Sequence, residues 1–290
     1  MRVRASVAST TMERFTNIGR PFDFRYPSNV FAVLASVGLG GAALAAGGWD
    51  GGEHLGTPII VGLAAFFSWV LAREIDPDRT QTAAAAAVAG GGLALAAPDA
   101  APAALYLIAV GARILVRTTG LRPKWTDLAV HIPIAAWFAQ TGAGWLAAMA
   151  LAFAIALDAA LTRSGDRAQL WWAACMALIA TLVALAAGAL QDWTSPGAGA
   201  LAIVALGLLG SIVLLQRETP ASSGDRTGIA IDPLRLRLGR ILVVVTLAAT
   251  VLLAGEAGVL GVAGAFVAVA IAGAIRLGAR QPVAAPADTG

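Results

Sequence analysis

Five charges fall in the seven residues Arg73-Glu74-Ile75-Asp76-Pro77-Asp78-Arg79, in a chain that is 58% hydrophobic and only 13% charged. Three carboxylates so close together could hold a divalent cation such as Mg2+, because hard cations take oxygen ligands. The flanking arginines could grip a phosphate through paired N–H donors. Other charges are expected on the same face: Arg113, Arg117, Arg122, Lys124, Asp127, Asp158, Arg163 and Asp166. Arg113 and Arg117 are four residues apart and therefore share one side of a helix. Charge placed inside the end of an apolar helix is costly unless it is paired or reaches water along its own stem. Arg113, Asp127 and Asp158 are the three nearest to hydrocarbon. They are expected to turn inward and meet the Arg73–Arg79 corner, unless they simply reach out to the headgroups. The candidates for substrate binding or coupling are Arg73, Glu74, Asp78, Arg113, Arg117, Asp127, His131 and Asp158. Glu74, Asp76 and Asp78 would be Mg2+ ligands only if the protein is an enzyme.

The Asp-Pro pair inside the corner has a twin. Ile75-Asp76-Pro77 and Ile231-Asp232-Pro233 both read as helix starters, because Asp is a favoured N-cap and Pro suits the first helical position. His131 lies in an apolar run with Pro133 two residues on, where it could couple a proton or simply bond a neighbouring helix. His54 is too isolated to be a metal ligand. Cys175, the single cysteine, sits in WWAACMALIA and reads as a small apolar filler, so neither a disulfide framework nor a thiolate metal site is expected. There is no Ser-His-Asp order, HExxH, Walker or EF-hand pattern.

The elements that position these residues follow from hydropathy. A mean hydropathy of +0.77, with apolar runs repeating from Asn29 to Leu277 and no polar face on them, predicts an all-α, polytopic helical transmembrane protein. A membrane barrel would alternate apolar and polar residues instead. The expected spans are about 29–48, 57–75, 79–97, 100–117, 124–140, 143–162, 168–190, 197–216, 238–255 and 258–277, with ends uncertain by a few residues. With these ten spans all 20 Lys and Arg residues fall at the termini or in alternate loops. The positive-inside rule then puts both termini in the cytoplasm. The tryptophans read as a belt at the two membrane surfaces, and the glycine-rich stretches as places of close helix approach. Residues 1–28 read as a basic cytoplasmic segment and not as a short signal peptide. Residues 29–277 form one membrane domain, and 278–290 read as a disordered tail. The loop 217–237 is expected to be a tether, mobile in its first half and lying on the inner leaflet in its second.

Ten spans permit a 5+5 inverted repeat, the parity of many transporters. In size and topology the chain is similar to drug/metabolite transporters, which implies a permease for an apolar or amphipathic metabolite or lipid. The inner loops after the second and sixth spans hold Glu74/Asp76/Asp78 and Asp158/Asp166. That location resembles the Asp motifs of membrane prenyltransferases of the ubiquinone-biosynthesis type, although the spacings depart from Asn-Asp-x-x-Asp-x-x-x-Asp and Asp-x-x-x-Asp. The alternatives are thus a cytoplasmic-face enzyme acting on a lipid-linked phosphate, with Mg2+, or a structural membrane subunit. Otherwise no cofactor is expected. The expected partners are the lipid bilayer of a prokaryotic cytoplasmic membrane and a small-molecule or lipid substrate. The pI of about 9.7 reflects orientation charges and not nucleic-acid binding, and oligomeric state is left open.

Overall fold

The computed structural model describes residues 15–19, 22–47, 56–96, 101–162, 166–191 and 194–279. Trp49, His54, Pro98, Arg163, Trp193, most of the basic N-terminal segment and most of the tail lie outside the described residues. Among the described residues ten helices are found: α1 Pro27–Gly47, α2 Gly56–Ile75, α3 Thr80–Ala96, α4 Pro102–Val116, α5 Trp125–Phe138, α6 Gly142–Ala160, α7 Arg167–Ala186, α8 Ala198–Leu214, α9 Pro233–Gly261 and α10 Ala263–Gly278. By length and composition, α1, α2, α6, α7 and α9 are long and apolar enough to cross a membrane, while α4, α8 and α10 are shorter apolar helices. At 1.5 Å per residue, helices of 14–17 residues extend about 21–26 Å, short of a typical hydrocarbon core of about 30 Å.

Local sequence starts and stops these helices. Pro102 opens α4 at its first turn, and Arg117 closes it in the left-handed region with φ 56° and ψ 48°. The Thr141 hydroxyl accepts from Gly144 N at 3.1 Å to cap α6, and Asp166 accepts from Gln169 N at 3.2 Å to cap α7. Helix α9 is interrupted at Gly255, with φ 59° and ψ −147°. A Cβ there would lie 2.2 Å from the Thr194 carbonyl oxygen, so only glycine fits. The ninth span was expected to end at this residue. The chain instead resumes a short helical stretch to Gly261 before α10.

Polar contacts tie alternate helix ends to one face of the bundle. The C-terminal ends of α2, α4, α6 and α10 meet the N-terminal ends of α3 and α9 there, through Glu74–Arg113, Arg117–Asp158, Arg235–Asp158 and Asp76–Arg276. The opposite face gathers the other ends, as where Ala101 N donates to Gly261 O at 3.0 Å and Glu256 N to Thr194 O at 3.0 Å. Successive helices therefore alternate in direction. Helices α8 and α10 cross at two glycines: a Cβ on Gly273 would fall 2.4 Å from Gly210 Cα, the close approach that small residues permit.

Two expectations need correction. Helices α1, α2 and α3 pack mutually; among the described residues their counterpart α6 packs on α7, but α8 packs on α10 instead of on either. The helix pairing of a 5+5 repeat is thus not reproduced. The loop after α8 is neither a loose tether nor as long as 217–237, because α9 begins at Pro233. Ser223 and Ala230 form an antiparallel bridge, and the turned strap 217–232 lies across the charged face. Cys175 is exposed on α7 rather than buried. Of the tryptophans, Trp125, Trp137 and Trp171 are exposed, as a belt requires, whereas Trp69 is buried.

Candidate functional site

The charged face contains several separate ionic knots. At the end of α2, Glu74 is buried. Arg113 Nε donates to Glu74 Oε1 at 2.7 Å, and the Thr118 hydroxyl donates to Oε2. Arg113 also reaches the Ile18 carbonyl at 3.4 Å, which ties the segment before α1 to the same knot. Arg113 thus turns inward and meets the corner. Arg73 does not join it: its guanidinium lies 5.5 Å from the centroid of the Trp69 ring and donates to Ser28 Oγ at 3.2 Å.

The second knot centres on Asp76, whose side chain is fully shielded from solvent. Its Oδ1 accepts from Arg276 Nη2 at 2.6 Å and Arg79 Nη1 at 3.1 Å, and Oδ2 accepts from the Thr82 hydroxyl at 2.7 Å. This overturns the expectation of a helix cap, since α3 begins only at Thr80. Arg79 and Arg276 extend the knot to Glu218 on the strap. Arg240 Nη2 lies 3.4 Å from the same carboxylate, while its Nε donates to the Ile75 carbonyl at 2.8 Å and Nη1 to the Leu214 carbonyl at 3.3 Å. Arg240 therefore closes the C-terminal ends of both α2 and α8, where cations complement the orphan carbonyls. Three guanidiniums face two carboxylates in this knot. Burial pushes the Glu218 carboxyl up, but Arg276, Arg79 and Arg240 outweigh it and hold the group below its ordinary value.

Asp78 serves the strap. Its Oδ1 accepts from Ser222 N at 2.8 Å and the Ser222 hydroxyl at 2.5 Å, and Oδ2 accepts from Ala221 N at 3.1 Å. Partial burial raises the Asp78 carboxyl, yet these hydrogen bonds and the nearby Arg79 leave it below its ordinary value. The strap's far side is fixed by Asp225 N and Arg226 N, which donate to the Thr118 and Thr119 carbonyls at 3.0 and 3.2 Å.

The remaining candidates lie elsewhere. Asp158 pairs with Arg117 at 2.8 Å and Arg235 at 2.6 Å and does not reach the corner. Asp127 caps α5 by accepting from Lys124 N at 2.8 Å and holds residues before α1 by accepting from Asn17 N at 3.0 Å. His131 Nδ1 lies 2.6 Å from the Asp127 carbonyl and Nε2 lies 2.8 Å from the Tyr106 hydroxyl. A carbonyl accepts only, so Nδ1 carries the proton and Tyr106 donates to Nε2. Among the described residues Glu74, Asp76 and Asp78 are bonded by different partners. Among the described residues no three His, Cys, Asp or Glu side chains are grouped to hold a metal, so the proposed Mg2+ trio does not assemble. A divalent ion would have to displace Arg113 or Arg276.

Sequence reasoning missed Arg235, Arg240, Arg276 and Glu218, which make most of these contacts. Arg240 offered a signal, because it falls inside the expected 238–255 span. Its count among the orientation charges hid that position.

A separate cavity of about 210 Å3 opens to the side between α8, α9 and α10. Val204, Gly207, Val244, Leu247, Phe266 and Val269 dominate its wall. Its one hydroxyl, that of Ser211, donates to the Leu208 carbonyl at 2.7 Å, leaving a hydrocarbon-like surface. The fold and these sites define an all-helical protein whose apolar helices are compatible with an integral membrane protein, with its polar contacts concentrated at one end. Comparisons with protein-family models, curated proteins and solved structures found no match.

Proposed function

We propose that the protein is a small permease of a prokaryotic cytoplasmic membrane that moves an apolar or amphipathic metabolite or lipid. The observation that carries this reading is the apolar cavity between α8, α9 and α10. A hydrocarbon chain can enter it sideways from the bilayer without desolvating any polar group. The Gly210–Gly273 crossing and the break in α9 at Gly255 provide close-packed and hinge-like points around the same cavity. The segregation of Lys and Arg supports ten crossings with both termini and the strap on the cytoplasmic side. The membrane-enzyme reading gains no comparable support, since the three corner carboxylates are each engaged by different partners, and the structural-subunit reading leaves the cavity without a role.

The test is transport by the purified chain in liposomes, using a short-chain fluorescent lipid and following its movement between leaflets. Protein-dependent movement that Leu247→Trp blocks, by filling the cavity, is the expected result. Movement no faster than in protein-free liposomes would sink the proposal, as would a rate that Leu247→Trp leaves unchanged in a folded variant.

A further inference from the structure

The geometry points to a binding site for an anionic head group at Arg79, Arg240 and Arg276, occupied at present by the strap's own Glu218 carboxylate and lying one to two helical turns along α9 and α10 from the apolar cavity. The ligand class is an amphiphile with a phosphate-type head and a hydrocarbon chain. This rests on the reading of the cavity as a hydrocarbon site and adds the head group that such a chain would carry.

Three observations support it. Ion pairing at the knot is uneven: Arg79, Arg240 and Arg276 bond Asp76 and Glu218, while Asp78, the acid near Arg79, spends both oxygens on the strap. Arg240 and Arg276 have side chains only 2% and 6% exposed, so positive charge is held where water screens it poorly. Asp76 is committed to the fold through Arg276, Arg79 and Thr82. Glu218 instead comes from the strap, most of which is exposed or only partly buried.

The second observation is an unused donor. Arg276 Nε is buried and has no hydrogen-bond partner, although its two terminal nitrogens bond Asp76 and Glu218. A carboxylate offers two oxygens, whereas a phosphate offers three or more on a tetrahedron. The larger anion can therefore span more of the three guanidiniums than Glu218 does.

The third observation is position along the helices. Val244 and Leu247 follow Arg240 by four and seven residues on α9, and Val269 precedes Arg276 by seven on α10. Each set lies along one helix face. Leu214, whose carbonyl Arg240 binds, lies three residues beyond Ser211, a residue of the cavity wall. At 1.5 Å per residue the cavity residues begin about 6 Å along α9 from the Arg240 backbone and about 10 Å along α10 from the Arg276 backbone. Those distances suit a head group on the arginines with its chain in the cavity.

The strap is held for release. Most of residues 217–230 are exposed or only partly buried, and Asp78 fixes the segment through two amides and one hydroxyl. Glu218 acts as a tethered competitor, and a lipid phosphate that displaced it would lift the strap.

The experiment uses the full chain in phosphatidylcholine nanodiscs and three soluble probes: dihexanoyl phosphatidic acid, inorganic phosphate and dihexanoylglycerol. Binding is read by calorimetry for wild type, Glu218→Gln and Glu218→Gln combined with Leu247→Trp. Glu218→Gln is expected to tighten phosphatidic acid by about tenfold, the scale of one charge-assisted contact, with a smaller gain for phosphate and none for the glycerol ester. Adding Leu247→Trp should erase the extra gain of phosphatidic acid over phosphate. Unchanged phosphatidic acid binding in Glu218→Gln overturns the site, and so does a gain shared by dihexanoylglycerol. An equal gain for phosphate and phosphatidic acid overturns the amphiphile and leaves a free-anion site. Asp78→Asn loosens the strap while keeping every charge of the arginine knot, so it provides the same reading if Glu218→Gln does not fold. Flux lost in Leu247→Trp with anion binding unaltered in Glu218→Gln would refute this site and leave the permease standing. Tighter anion binding in a protein with no flux would do the reverse.

Discussion

Ile75-Asp76-Pro77 and Ile231-Asp232-Pro233 place the same three residue types ahead of a helix at the same face of the bundle, and the two aspartates have different partners. Asp232 accepts from Leu234 N at 2.8 Å and Pro233 opens α9, so its interaction is complete within three residues. Asp76 caps nothing. Its carboxylate is taken by Arg276, 200 residues away, by Arg79 and by Thr82. The surroundings decide between these outcomes. Asp232 sits at an exposed start where a backbone amide is the best donor available. Asp76 is enclosed by α10, where an arginine would otherwise be buried alone, and a buried charge without its partner costs far more than a lost cap. A local motif thus sets what an aspartate can do, and the strongest donor that the fold brings near sets what it does.

The largest expected effect is at Asp76. Asp76→Ala leaves Arg276 with the partly exposed Glu218 as its remaining acid, and should cost about 3–5 kcal/mol, the scale for breaking a buried pair. Unfolding in detergent, followed by circular dichroism, measures it. A loss no greater than that of Asp232→Ala would break the comparison. Next is the coupling between Asp76 and Arg276. Asp76→Ala together with Arg276→Met removes both charges, and the double-mutant cycle should show a coupling of about 1–3 kcal/mol. Additive single losses would mean that Thr82 and Arg79, not Arg276, dominate the site.

Asp232→Ala is expected to cost about 1 kcal/mol, and Asp232→Ser to restore most of it, because serine is an equally good N-cap. The same unfolding measurement applies. Failure of serine to rescue would show that Asp232 acts by its charge and not by its capping oxygen, and the contrast with Asp76 would shrink.

This contrast also explains what the sequence could disclose. The ten helices were legible because continuous apolar runs, broken by Gly, Pro and charge, mark their own ends; α2 and α3 differ from expectation by at most one residue at each boundary. The alternation of direction was legible for a related reason, since Lys and Arg cluster in every second loop. The inward turn of Arg113 followed from the cost of charge inside a helix end. The choice of partners was not legible. Asp158 could have met the corner, yet Arg117 and Arg235 reach it first. Many arginines share the face, and only tertiary packing decides among them. The strap was misread because its Ser/Gly/Asp composition resembles a free linker. Its order comes from Asp78 and the carbonyls of Thr118 and Thr119, none of which lies within it.

The smallest expected effect concerns Asp78, which stands between the other two aspartates: it binds backbone amides as Asp232 does, but at long range as Asp76 does. Its carboxyl is held below its ordinary value. The contribution of a group depressed in this way is fully present above that ordinary value and is lost as pH falls through the lower folded value. The strap should therefore stay docked from neutral pH down to about pH 4 and loosen only below it. Glu218, also held below its ordinary value, shifts in the same direction. Hydrogen exchange at the Ala221 and Ser222 amides, corrected for the intrinsic pH dependence of exchange, reads this directly. Asp78→Asn should lose protection at pH 7 and converge with wild type in acid, while global unfolding changes little because the pair is partly exposed and screened. Protection unaltered by Asp78→Asn at pH 7 would mean that Glu218 and the Thr118 and Thr119 carbonyls anchor the strap without Asp78, and the comparison of Asp78 with the other two aspartates would then hold in geometry only.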